Sequence, residues 1–519
     1  MEIIDNRAVK LRVRKPDRIT EVIPKSKVLS EDDGVYEVLV HWGLEEMQVL
    51  KNLGIKNVPS PILGRYNWPG MYKPFEHQLQ TAAFLTMHRR AYCLNEMGTG
   101  KSCSALWAAD YLMSKGLVRR VLVVCPLSIM DSAWRADAFK SVMHRTVDIA
   151  HGARDKRKKI IASDTEIIII NYDGIEIVAE DIARSGFDLI IIDEYNHYKN
   201  AQSKRWKVMN TLIKNDTWLW GMTGSPASQS PLDAYGLAKL MNPSSVPKFY
   251  GAFRDSIMTK ITQFKYIPKL GAEDMVHKLL QPAIRYTKED CLDLPEMLYT
   301  TREVPLTPQQ NKYYKQLKEQ MLIEAAGEEV TAVNAAVNLS KLLQIASGSI
   351  YTNNKEVLEF DASNRLNALE EIIDESSHKV LVFANFRHGI EMIQRHLAQQ
   401  GYSVDVIHGG VPVGVRTDVF NRFQTTNAPR ILVIQPQSAA HGVTLTAANT
   451  IVWFGPVTSY ETYVQANARV HRAGQKNSCM VVHLTGSPVE DKLYRALEQK
   501  ERMQDSIMSL YEEEIRGGK

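Results

Sequence analysis

The sequence predicts an α/β protein with two parallel-sheet lobes in tandem, joined by a mostly helical segment and preceded by a small N-terminal domain. Two observations predict it. Short apolar runs alternate with helical patterns from 71 to about 243, the rhythm of an open parallel sheet. The rhythm stops over about 244–360 and then returns over 361–488.

Each element has its own signal. The first-lobe strands are "AYCLNE", "RVLVVCP", "EIIIIN", "DLIIIDE" and "WLWGMTG". The second-lobe strands are "KVLVFANF", "YSVDVIHGG", "RILVIQPQ", "TIVWFGP" and "MVVHLTG". Between them, "TPQQNKYYKQLKEQMLIEAA" and "AAVNLSKLLQIAS" carry apolar residues at helical spacing. Two lobes so joined predict a cleft where a ligand binds. In residues 1–70, "VYEVLV" reads as a strand, "GLEEMQVLKNLG" as a helix and "NVPSPILGRYNWPG" as a connector. This accessory domain is either a substrate-selecting module or a packing extension. Over 489–519 a C-terminal helix is expected. Ser487, Pro488 and Glu490 form a capping-box start, and Val489, Leu493, Leu497, Met503, Ile507 and Leu510 make one apolar stripe.

Composition narrows the function classes. A net charge of +4 permits a polyanionic partner without demanding one. Five scattered cysteines argue for a reducing compartment and against a zinc site or disulfide frame. With no signal-like start and no apolar run of spanning length, no membrane association is expected. The chain is expected in the cytoplasm of a bacterial or phage-infected cell, or in the nucleus if eukaryotic.

The chemistry begins at "NEMGTGKS", between a strand and the helix "CSALWAADYLMSKG". Its glycines let backbone N–H groups approach phosphates at a helix N-terminus. Met97, Gly98, Thr99, Gly100, Lys101 and Ser102 are the candidate ATP cradle. Lys101 would reach the β/γ phosphates, and Ser102 would ligate magnesium. In "IIIDEYNHYKN", Asp193 would hold Mg2+ through water and Glu194 would orient the attacking water. Upstream, Gln78 in "YKPFEHQLQTAAFL" has the amide that can pair with adenine.

Taken in order, these strings resemble the Swi/Snf-type DNA translocases of helicase superfamily two. The match continues through "LVVCPLSIMDSAW", "IIIINYDGI", "DEYNHYKN", "MTGSPASQSPLDAYGL" and "IRYTKEDCLDLP". In the second lobe it runs through "HGGVPVGVRTDVFNRF", "SAAHGVTLTAA" and "YVQANARVHRAGQ". The last is the most specific: Gln465, Arg469, His471, Arg472, Gly474 and Gln475 match the family's final motif. The resemblance spans about 71–492 and implies that both lobes are RecA-like. It implies catalytic roles for Lys101, Asp193, Glu194, Gln465, Arg469 and Arg472. The two arginines, three apart on an expected helix, would project together as an arginine finger. It also implies DNA-phosphate contacts at Ser128, Thr223, Gly224, Ser225, Ser438 and Thr444, which grip without reading sequence. The run "RDKRKK" either adds phosphate contacts or is a solvated loop face.

Some residues depart from the family pattern. Asn95 stands where an acid is usual, Tyr286 replaces a second arginine, and Ala439, Ala440 and His441 replace a glycine-richer run. Tyr195 and Asn196 stand where a small residue and a histidine are common. Hydrolysis is expected to be retained and inter-lobe coupling retuned. The leading expectation is an ATP- and Mg2+-dependent translocase on double-stranded or branched DNA that displaces proteins or remodels replicating DNA. RNA polymerase or replication proteins are compatible partners. An RNA-directed helicase, an RNA polymerase remodeller and a non-hydrolysing DNA-binding scaffold are the alternatives.

Overall fold

The structure is a computed structural model. It describes residues 1–227, 230–261, 266–291, 294–325, 332–351, 357–439 and 443–499. These divide into two units. The first holds Met1–Ala227 and Pro231–Cys291, and the second the residues after Cys291.

The first unit is built on a parallel sheet, of seven strands among the described residues. Its spatial order is Ala283–Ile284, Arg90–Cys93, Trp218–Met222, Leu189–Asp193, Val121–Cys125, Ile167–Asn171 and Val147–Ile149. The five predicted strands form its centre. They read as unbroken apolar runs because helices cover both faces, and Leu189–Asp193, Val121–Cys125 and Ile167–Asn171 are buried throughout. The register lets strands end level: Met222 lies beside both Cys93 and Asp193. The loops that follow these strands therefore share one sheet edge.

Residues 1–70 supply a second, antiparallel sheet in the order Glu2–Ile4, Ala8–Val13, Val35–His41, Ser26–Asp32. Only Val35–His41 was legible beforehand. This domain shares one apolar core with the first lobe. Val9, Val38, Val40, Trp42, Leu50 and Ile62 join a cluster with Leu85, Leu106, Trp107 and Trp134. Polar ties reinforce it: Ser60 Oγ lies 2.7 Å from Thr86 Oγ1, and Tyr66 OH donates to Asp110 Oδ2 at 2.6 Å.

The segment 244–360 is divided between the units. Its first part ends in Ala283–Ile284, which extends the first sheet beside Arg90–Cys93. Its later part begins with Met297–Glu303, which pairs in parallel with Cys479–Thr485 in the second sheet. Two residues are too few to show a periodicity, and Met297–Glu303 is largely exposed, so neither strand announces itself.

The second unit's parallel sheet runs Met297–Glu303, Cys479–Thr485, Ala448–Trp453, Lys379–Phe383, Ile431–Ile434, Val404–Ile407. The helix Pro488–Glu498 starts where expected, and Ser487 Oγ accepts from Glu490 N. Val489 and Leu493 pack on Tyr314, Leu339 and Leu343 of the helical segment. Glu490 does more than cap. It is fully buried, pairs with Arg365 at 2.7 Å and accepts from Gly486 N. The remaining stripe residues, Met503, Ile507 and Leu510, lie outside the described residues.

Candidate nucleotide site and nucleic-acid contacts

In the first unit the phosphate loop leaves the strand Arg90–Cys93 and enters the helix Lys101–Ser114. Gly98 and Gly100 adopt φ of 87° and 79°, where a side chain is strained. A Cβ on Gly100 would also collide with the Gln78 amide. Lys101 Nζ donates to the carbonyls of Asn95 and Glu96 at 2.8 and 3.2 Å. Ser102 follows in the first helical turn, half-buried.

Gln78 supports this loop. Its Nε2 donates to Thr99 O at 3.2 Å and its Oε1 accepts from Phe75 N at 3.1 Å. His77 Nε2 lies 2.8 Å from the same Thr99 carbonyl. The departure at Asn95 has a local reason. Thr81 gives its hydroxyl proton to His77 O, so its oxygen offers Asn95 only an acceptor. The amide Nδ2 donates to it at 2.8 Å, which a carboxylate could not do. Asn95 Oδ1 accepts from Tyr286 N at 3.0 Å, and Glu96 N donates to Tyr286 O at 2.9 Å. Two departures from the family pattern thus touch each other. The added strand Ala283–Ile284 brings Tyr286 there, which motif reading alone missed.

The acidic pair lies one strand away. Asp193 is 8% exposed; its Oδ1 accepts from Glu194 N at 3.0 Å and its Oδ2 from Trp134 Nε1 at 2.9 Å. Tyr172 OH donates to Asp193 O at 2.6 Å. Glu194 has φ of 46°, a left-handed conformation that costs a non-glycine residue of order 1–3 kcal/mol. That turn swings the chain out of the strand into the 3-10 helix Tyr195–Tyr198.

Tyr195 is a core residue. It is fully buried, donates to Leu237 O at 3.1 Å, and its ring lies 2.8 Å from where a Gly221 Cβ would stand. Its bulk is matched by the absent side chain at Gly221. The ring of His197 lies 4.8 Å from that of Tyr172. Asn196, which stands where the family resemblance implies histidine, is half-buried.

The expected DNA-contacting residues fare differently. Ser128 is exposed on the 3-10 turn Leu127–Ile129, just after a strand end. Gly224 and Ser225 are half-buried, and a Cβ on Gly224 would sit 3.6 Å from Asn95 O and Met97 N. Thr223 ends up deeper than these. It is fully buried, its N–H bonded to Cys93 O and its hydroxyl oxygen accepting from Ser225 N. The basic run is a helix, Arg154–Ile161, not a loop. Its Arg157 is buried, donating to Ala150 O and Asn171 Oδ1, which leaves Arg154, Lys156, Lys158 and Lys159 toward solvent.

In the second unit the expected helix under the arginines stops at Asn467. Asn467 Oδ1 accepts from buried Trp453 Nε1 at 3.0 Å, and tight turns follow: Arg469 N donates to Ala466 O and Val470 N to Asn467 O. Arg469 and Arg472 are therefore carried by a turn, not by one helical face. Arg469 O accepts from Leu445 N at 2.9 Å, and Arg472 Nη1 donates to Val443 O at 3.2 Å. These bonds bracket the exposed Thr444, so a phosphate candidate and the arginines share one hydrogen-bonded frame. Gln475 Nε2 closes it on Ala448 O at 2.9 Å. Gln465 is buried and donates to Glu461 Oε1 at 3.1 Å. Ser438 is half-buried on the short helix Pro436–Ala439, while Ala440 and His441 lie outside the described residues.

The SNF2-related domain matches residues 77–365, more than half of the chain, and the helicase conserved C-terminal domain matches 364–474. The chain belongs to the SNF2-related family. Its two parallel sheets are the tandem RecA-like lobes of that helicase-like ATPase class. Among similar proteins, the Danio rerio Chromodomain-helicase-DNA-binding protein 1-like is 24% identical, over 82% of this chain and 42% of its own length. The Uncharacterized ATP-dependent helicase MG018 of Mycoplasma genitalium is 24% identical, over 79% of this chain and 39% of its own. This SNF2-related chain thus spans about two fifths of the length of either relative. A solved structure, the Sulfolobus solfataricus SWI2/SNF2 ATPase core in complex with dsDNA, is 21% identical with a TM-score of 0.41, covering 87% of this chain and 94% of that one.

Among the described residues no cluster of three or more His, Cys, Asp or Glu side chains could hold a metal. Magnesium keeps its waters and binds through one or two protein oxygens plus phosphates, and the Ser102 hydroxyl and Asp193 carboxylate are oxygen donors of that kind. No helix among the described residues is long and apolar enough to cross a membrane.

Proposed function

We propose that this chain is a DNA-stimulated ATPase that translocates on double-stranded DNA, displacing bound proteins or remodelling branched or replicating DNA. One observation carries the reading. The phosphate loop with Lys101 and the Asp193–Glu194 pair leave level strand ends of one sheet, separated only by Trp218–Met222. Parallel sheets bind ligands at such carboxyl edges.

In this reading Gly98 to Ser102 cradle the phosphates. Lys101 exchanges its neutral carbonyl partners for a charged phosphate oxygen, a stronger acceptor. Ser102 and Asp193 would hold Mg2+, which neutralises phosphate charge when bound. Glu194, set apart from its strand by a left-handed turn, orients and deprotonates the attacking water. Arg469 and Arg472 take the charge-neutralising role of an arginine finger, and Gln465 a further catalytic role. Gln78, at the loop, reads adenine. Ser128, Gly224, Ser225, Ser438 and Thr444 meet the DNA backbone. We assign nucleotide binding to residues 71–243 and the arginines to 361–488.

The test is steady-state ATP hydrolysis with no nucleic acid, duplex DNA, single-stranded DNA and RNA. Duplex or branched DNA is expected to stimulate most, and Lys101→Ala to reduce turnover at least ~10²-fold. Stimulation by RNA alone, or hydrolysis that survives Lys101→Ala, would sink the reading.

A further inference from the structure

Trp134 is fully buried, yet its indole N–H is spent on the Asp193 carboxylate, 2.9 Å away. Its backbone setting is unusual. Met130–Arg135 forms a π-helix, directly after the 3-10 turn Leu127–Ile129 that exposes Ser128. Ser132 Oγ donates to Ser128 O at 3.0 Å and ties the two turns together. The strand that delivers Ser128, Val121–Cys125, pairs in parallel with the strand that delivers Asp193. One short segment thus presents a hydroxyl outward and an N–H inward to the acidic pair.

We infer that Trp134 is a positioning residue that links contact at Ser128 to the orientation of the Asp193 carboxylate. The inference rests on the reading of Asp193 as the magnesium-side acid and of Ser128 as a phosphate contact. The physical argument is geometric. A π turn holds one residue more than an α turn, and such bulges concentrate at functional sites. Each residue advances an α-helix by about 100°. Tightening or shifting the bulge when Ser128 is engaged therefore redirects Trp134, and its N–H leaves or re-aims at Asp193 Oδ2. Asp193 Oδ1 stays tied to Glu194 N, so the carboxylate pivots about that bond instead of drifting. A small outward displacement at Ser128 becomes a reorientation of the acid.

The experiment uses the full chain labelled with 15N-tryptophan. The indole resonance absent from Trp134→Phe identifies Trp134; that variant keeps an aromatic ring, loses the N–H partner and leaves a small cavity, so Ser132→Ala, which leaves the indole in place, is measured beside it. The Trp134 resonance is expected to shift on adding duplex DNA and, separately, in Asp193→Asn. Binding of Mn2+ with ADP, read by electron paramagnetic resonance of free Mn2+, is expected to change at least ~3-fold in Trp134→Phe. The fold-stimulation of hydrolysis by DNA is expected to fall at least ~10-fold. If Trp134→Phe does not fold, Ser132→Ala cuts the tie to Ser128 at an exposed position, and the same fall in stimulation is expected with DNA affinity kept. A Trp134 resonance indifferent to DNA and to Asp193→Asn, or stimulation unchanged in the variant that folds, overturns the inference. Wild-type protein that neither binds DNA nor is stimulated by it would instead overturn the proposed function.

Discussion

Tyr195 and Gly221 occupy one volume between them. The ring stands where any side chain at 221 would go, and its hydroxyl is satisfied by Leu237 O on the neighbouring helix Ala234–Met241. Gly221→Ala must push a buried ring aside, an overpacking cost of about 1–3 kcal/mol. Tyr195→Ala opens a cavity and is expected to cost about 3–5 kcal/mol. Because each change relieves the other's fault, the double variant is expected to lose less than the sum of the two. Thermal unfolding of the three variants measures this directly; simple additivity would show that the two residues do not share the space. Asn95 follows the same logic in hydrogen bonds: its amide is selected by a Thr81 oxygen that can only accept.

At the scale of elements, the turn that bears Arg469 and Arg472 is positioned by what lies beneath it. The helix Tyr460–Asn467 is fixed to the sheet by Trp453 Nε1 on Asn467 and by Tyr463 OH, 2.9 Å from His483 Nε2. His483 is fully buried and stacked on Tyr494, and burial lowers its pKa to about 4. Glu498 lies 3.4 Å from Nδ1 and would favour the charged ring, but its side chain is 44% exposed and screened, so burial dominates. The sign follows from proton binding. Below about 6.5 an unfolded histidine takes up a proton that the native one refuses until about pH 4. The unfolded state then binds more protons, and stability is lost as pH falls through that window. Between pH 7 and 5 the wild type is expected to lose about 2 kcal/mol more than His483→Gln in urea unfolding of the second unit. Equal losses in both would show that His483 is not buried neutral.

At the scale of the whole molecule, the N-terminal antiparallel sheet is part of the first lobe's core, not an appendage. Trp42 and Ile62 share a cluster with Trp107 of the phosphate-loop helix, whose indole N–H also donates to Pro69 O at 3.0 Å. Deleting residues 1–70 strips one side of that core. The truncated chain is expected to aggregate or to lose the near-ultraviolet circular dichroism of its buried tryptophans. A soluble truncation with that signal intact would return the segment to the status of a separable module.

The central strands, the phosphate loop, the acidic pair and the final motif were legible in the sequence alone. They rest on local rules: unbroken apolar runs for buried parallel strands, glycines for tight turns at phosphates, and fixed spacings for side chains that act together. Only the tertiary structure decided which residues meet across the chain. Thr223 turned out buried, because strands ending level leave its hydroxyl inside the sheet edge. The arginines turned out to ride a turn, because a buried tryptophan claims Asn467 and the helix stops there. Trp134 reached Asp193, and Tyr286 reached Asn95, through sheet neighbours distant in sequence. Periodicity reports which face of an element is apolar; it carries no information on which neighbour that face or a polar end will find.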